Sequence, residues 1–107
     1  MRIKRIKSIK INSYTFKVYW NRKWNGGQFS YREEKKKEGF IDIGIKDNSD
    51  NEIFMIICHE LMEICAAEMN VRLKRPDCDS DYVFVYDHRQ HETMMNMFAG
   101  ALSQFIE

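Results

Sequence analysis

The sequence predicts an α+β fold, with a small antiparallel sheet of three or four strands packed on a long central helix and a C-terminal helix, all in one domain spanning residues 1–107. Three observations predict it. Alternation at a period of two dominates the first 46 residues. Two stretches with a helical period fill most of the rest, each preceded by a capping pair. The length of 107 residues, with 44% hydrophobic and 31% charged residues, matches one domain that buries roughly two-thirds of its unfolded surface.

The elements follow in order. From Ile9 to Trp20, the residues Tyr14, Phe16, Val18 and Trp20 share one parity and Thr15, Lys17 and Tyr19 the other, the pattern of a half-buried strand. Gly26-Gly27 reads as a hairpin into a second strand over Gln28 to Tyr31. The run Arg32 to Glu38 is a solvated turn or strand edge whose lysines discourage edge pairing. Ile41, Ile43 and Ile45 then alternate along a further strand. Ser49 and Glu52 have the spacing that satisfies the first free amides of a helix, predicted to run from about Asp50 to Leu73. Its apolar residues occupy more than one stripe, as in a helix covered on several sides. Pro76 cannot continue it. Tyr82 to Tyr86 reads as a short strand, and Asp87 with Gln90 opens a last helix with Met94, Met95, Phe98, Ala101, Leu102 and Phe105 on one face.

One Pro and five Gly exclude collagen-like and low-complexity classes. The basic start lacks the apolar segment of a signal peptide, and the longest apolar run, Ile53 to Cys58, is far short of the roughly 20 residues a membrane span needs. The odd set Cys58, Cys65 and Cys78 points to a reduced chain, so a cytoplasmic protein with no membrane partner is expected. The net charge of +1 hides an asymmetry: residues 1–46 carry 13 Lys/Arg against 4 Asp/Glu, and residues 47–107 carry 4 against 12. Attraction between the halves is the ordinary reading; a basic surface for nucleic acid or an acidic partner is the sharper one.

The chemistry concentrates in His59-Glu60-Leu61-Met62-Glu63, an HExxE sequence within the central helix. At 100° per residue, His59 and Glu63 share a face one turn apart and Glu60 lies to one side, so the three can reach one point. With three His and nine Glu in 107 residues, chance supplies roughly 0.02 such sequences. A catalytic zinc site takes three protein ligands and a water, with an unligated Glu as base. His59 and Glu63 are then ligands and Glu60 the general base. The remaining histidines, His88 and His91, are candidates for the missing ligand, with His91 aligned to the apolar face of the last helix. One of them leaves the site open for water; both close it into a structural site.

The strand ending in IDIGIKDNS followed by a helix carrying ICHELME resembles the minimal zincin metallopeptidase core, the HExxH superfamily that includes ImmA/IrrE-type and SprT-like peptidases and many small phage proteins. The resemblance covers about residues 26–70, with the last helix in a general way. It implies zinc bound through His59, with Glu60 as base, while Glu63 stands where that family has its second histidine. The expected function is therefore a small zinc-dependent peptidase or hydrolase acting on a peptide or protein substrate through a zinc-bound water. A domain of this size leaves little room for a deep cleft, so the substrate is expected along an exposed strand edge, that ending at Ile45. Two alternatives belong to other classes: a non-catalytic zinc-binding regulatory or interaction module, and a nucleic-acid-associated protein using the basic N-terminal half.

Overall fold

The computed structural model describes residues 2–107, the side chain of Asp79 excepted. The chain runs β1 (Ser8–Ile11), β2 (Tyr14–Asn21), β3 (Gly27–Glu33), β4 (Glu38–Gly44), α1 (Asp50–Glu68), β5 (Arg72–Arg75), β6 (Cys78–Phe84) and α2 (His88–Ser103). Strands β1 to β4 form a four-stranded sheet in the order β1-β2-β4-β3, and β5 and β6 form a separate antiparallel ribbon. The α+β class and both helices are those the periodicities predict.

The sheet is mixed, however, not antiparallel: β2 and β4 run parallel, while β1–β2 and β3–β4 are antiparallel pairs. Gly26-Gly27 therefore does not close a hairpin between neighbouring strands. After Asn21 the chain crosses the end of β4 and returns on its far side as β3. The crossing backbone is satisfied there, because Gly44 N donates to Gly26 O at 2.6 Å, Ile45 N to Asn21 O at 2.9 Å and Lys46 N to Trp24 O at 3.0 Å. A Cβ at Gly44 would lie 2.6 Å from backbone atoms of Gly26 and Trp24, so only glycine lets the two segments approach. Two glycines mark a turn locally, but the partner strand is chosen by contacts far away in the chain.

Three other boundaries differ from the expectation. The stretch from Ile9 to Trp20 is two strands, broken where Asn12 takes a left-handed φ of 55°. Helix α1 stops at Glu68, before Leu73, because Asn70 adopts φ 57° and turns the chain back. Pro76 consequently sits in the turn of the β5–β6 ribbon, and β6 begins at Cys78, ahead of the expected Tyr82. Both capping boxes form, with Ser49 and Glu52 opening α1 and Asp87 and Gln90 opening α2; such caps contribute about 1 kcal/mol each.

The core lies on one face of the large sheet. Ile9, Phe16, Ile41 and Ile43 meet Ile57, Leu61 and Ile64 from α1, while Ala101 and Phe105 arrive from the C-terminal end. A fully buried Ile, Leu or Phe contributes roughly 1.5–3 kcal/mol, so this cluster dominates the stability of the fold. Helix α1 is covered by the sheet on one side and α2 on another, but leaves Met55 63% exposed. Among the described residues no element covers the opposite face of the sheet. No helix is long and apolar enough to cross a membrane.

Candidate metal centre

The turns of α1 that bury Ile57, Leu61 and Ile64 against the sheet direct His59 and Glu63 away from it. These two side chains line a groove of about 790 Å³ between α1, the β5–β6 ribbon and α2, whose apolar wall includes Met62, Ala66, Phe84 and Met94. A domain of this size thus does hold a sizeable cleft, because the ribbon stands off from α1. His59 is 68% exposed at the side chain, Glu63 20% and Glu60 6%, so the histidine is open to the groove and the carboxylates lie beneath it.

Glu60 sits on the border between the groove and core faces of α1, at the start of β3. Gly27 makes room for it: a Cβ there would stand 2.6 Å from Ile56 Cγ2 and 3.2 Å from both Cγ and Oε2 of Glu60. His59 Nδ1 is hydrogen-bonded to Glu60 Oε2 at 2.9 Å, and burial pushes the Glu60 carboxyl above its ordinary range while this bond opposes the shift. Glu63 splits its carboxylate: Oε1 accepts from Arg72 Nε at 3.0 Å, and Oε2 lies 3.3 Å from His59 Nε2. Arg72 is itself packed over the rings of Tyr82, at 3.6 Å, and Phe29, at 5.2 Å.

With Glu60 ionised, His59 donates its Nδ1 proton to it and presents a bare Nε2 lone pair to a carboxylate oxygen, and the two acceptors then need a cation between them, either a proton on Nε2 or a metal ion. With Glu60 protonated, as its burial favours, the carboxyl donates to Nδ1 and a neutral His59 donates from Nε2 to Glu63 with no added charge. The separation fits a metal ion as well as a proton, since two ligands at 2.0–2.1 Å from a tetrahedral zinc lie about 3.3 Å apart. Candidate ligand atoms of His59, Glu60 and Glu63 all fall within 4.8 Å of one another, and nitrogen with carboxylate oxygen is a donor set that suits zinc.

The two other candidate histidines stand apart from this group. His88 pairs with Glu92 at 3.6 Å on the surface of α2, and His91, exposed instead of facing the core, stacks on Tyr86 with ring centroids 5.9 Å apart. Among the described residues neither joins His59, Glu60 and Glu63. Tyr86 lines the groove and His91 does not. Arg72 and the ribbon were not legible as part of the site. The available signal was that Arg72 is one of only four Lys/Arg in an acidic half-chain, which makes it a pairing partner for a helix carboxylate.

Compared with known protein families, curated proteins and solved structures, the chain matches none. The fold and site therefore define a class by their own geometry: a small α+β protein with a His/Glu/Glu group whose His59 and Glu63 line an open groove.

Proposed function

We propose that the groove is a metal-dependent hydrolytic site of the peptidase kind, in which His59 and Glu63 would hold a divalent cation, zinc by their donor types, with water and substrate in the positions that a third protein ligand usually fills. The observation that carries this reading is the 3.3 Å approach of His59 Nε2 to Glu63 Oε2 at the groove wall. A bound zinc would polarise a substrate carbonyl and lower the pKa of water to roughly 7. Glu60 is best placed as a positioning residue: it holds His59 by Nδ1, fixing the tautomer that points Nε2 at the cation site. Its carboxylate does not line the groove, so the general-base role expected from the motif is not the one this geometry favours. Arg72 orients Glu63 by holding its other oxygen.

A peptide is the substrate class supported best, because β3 is an edge of the sheet and its first residue, Gly27, abuts Glu60. The edge once expected at Ile45 is not free, since β4 lies between β2 and β3. A second reading rests on the same contacts. The sequence Glu60, His59, Glu63, Arg72 alternates charge when His59 is protonated, so the group also works as a metal-free clasp holding the ribbon to α1.

Metal content separates the two. The first reading expects one equivalent of zinc per chain, lost in His59→Ala and Glu63→Gln, and chelator-sensitive cleavage of quenched peptide substrates. Glu60→Gln should weaken zinc binding about 10- to 100-fold as a positioning residue. Retained zinc with a fall in kcat of roughly 10²-fold or more would restore Glu60 as the base. Absence of zinc binding at micromolar metal leaves the clasp.

A further inference from the structure

The uncovered face of the four-stranded sheet carries a platform that the groove does not explain. Alternation sets which side chains it holds: Phe16, Val18, Ile41 and Ile43 point into the core, so Lys17, Tyr19 and Phe40 point outward. Lys17 and Phe40 are register partners on adjacent strands, and Tyr19 and Phe40 meet edge to face with centroids 6.2 Å apart. Arg32 from β3 lies over the Phe40 ring at 4.9 Å, and Tyr19 is 43% exposed. Two flat groups therefore stand open on either side of Phe40, the Tyr19 ring from β2 and the Arg32 guanidinium from β3.

The fold also sorts charge by layer. The basic half of the sequence forms the sheet, and the acidic half forms the helices and ribbon on the other side. On the helix side Arg72 and Arg75 are consumed by Glu63, Asp77 and Asp81. On the open face, among the described residues, Lys10, Lys17 and Arg32 make no ion pair with a carboxylate. The face does hold Asp42 and Glu38; Asp42 is half-buried and accepts from Asn21 Nδ2 at 3.4 Å. In the β3–β4 turn Lys36 pairs with Glu33 at 3.8 Å and Lys37 lies over the Tyr14 ring at 5.1 Å, which leaves Lys35 open, and Arg22 and Lys23 after β2 add exposed positive charge at the other end of the sheet.

We propose that this face binds single-stranded nucleic acid, stacking two bases on Tyr19 and Arg32 while Lys17, Lys10 and Lys35 take the phosphates. A flat aromatic and a guanidinium plane accept unpaired bases, and unpaired cations accept the backbone. A duplex hides its bases and has no use for such a platform. The occupant is thus distinguished from an acidic protein or an anionic membrane by the stacking groups, not by the charge.

The test is fluorescence anisotropy of the full chain with labelled 12-nucleotide oligo(dT) and oligo(U), a duplex of the same length and polyglutamate, at 50–200 mM salt. Single strands should bind, with log affinity against log salt falling at a slope of about −2, as three phosphate contacts require. Tyr19→Ser should weaken binding about 5-fold or more with an unchanged salt slope. Lys17→Gln should lower the slope by about 0.7. Tyr19→Ser is a surface change, and its melting curve should overlay that of the parent; Arg32→Gln gives a second variant at the platform. Undiminished binding in both platform variants, equal or tighter binding of duplex or polyglutamate, or no binding at 50 mM salt would each overturn the proposal. None of these outcomes depends on metal at His59.

Discussion

The two sheets of this protein are held by different forces. The four-stranded sheet rests its inner face on two helices, and its strand residues Phe16, Ile41 and Ile43 are 0–1% exposed. The β5–β6 ribbon has only two strands and leaves Leu73, Val83 and Phe84 between 39% and 49% exposed. A lone two-stranded ribbon is marginal in water. It is fastened by two contacts: Val71, buried with Ala66 and Met94 and donating from its N to Ala66 O at 3.0 Å; and Arg72, clamped between Glu63 and two aromatic rings. Apolar area stabilises the large sheet cooperatively, whereas a few polar and cation–π contacts dock the ribbon, so of the groove's walls the ribbon is the one expected to open first.

The cysteines give the sharpest contrast. Cys65 is fully buried behind the large sheet and its thiol is pushed up to about 11 by burial and by Glu68, while exposed Cys78 at the start of β6 has its thiol lowered by hydrogen bonds with Ser80. Only thiolate reacts, so at pH 8 alkylation followed by mass spectrometry should label Cys78 more than about 100-fold faster than Cys65. Cys58, part-buried at the groove and raised by desolvation, should fall between them. Comparable rates for Cys65 and Cys78 would mean that the two regions open together.

Arg72→Ala should unfasten the ribbon. It removes a partner from the half-buried Glu63, whose side chain is 20% exposed, and takes away the stacking on Tyr82 and Phe29. Amide hydrogen exchange in β5 and β6 should lose about 2–3 kcal/mol of protection, somewhat less than a fully buried pair would cost, with β2 and β4 nearly unchanged. Equal loss in both sheets would make the protein a single cooperative unit.

Gly27→Ala works from the opposite wall. The new methyl meets Ile56 and Glu60, and repacking at that density should lower the urea-unfolding free energy by about 1–2 kcal/mol for the whole molecule. It should also displace Glu60 from His59, which a shift in the histidine ring resonances would report. A neutral effect would show that the contact between β3 and α1 is loose.

Periodicity and capping were enough to place six of these elements roughly, because alternation, helical spacing and the Ser49–Glu52 and Asp87–Gln90 pairs act within a few residues of chain. The HExxE triplet was equally legible: a helix brings residues one turn apart together whatever surrounds it, and His59, Glu60 and Glu63 do converge. Strand order was not legible. Parallel pairing of β2 with β4 depends on the loop after Asn21 crossing at Gly44, a contact between segments some 20 residues apart that no local pattern records.

The content of each element and the charge of each half are set along the chain; which charges are neutralised and which stay open depends on how the elements assemble. Arg72 and Glu63 become neighbours because Asn70 reverses the chain after α1, and that reversal also raises the ribbon that makes a groove. Lys17, Tyr19 and Phe40 share a face because β2 and β4 pair in register, and Arg32 joins them from the irregularity in β3 that lays it over Phe40. Burial and pairing are properties of assembled surfaces, so they follow from tertiary packing and not from the order of residues along any one element.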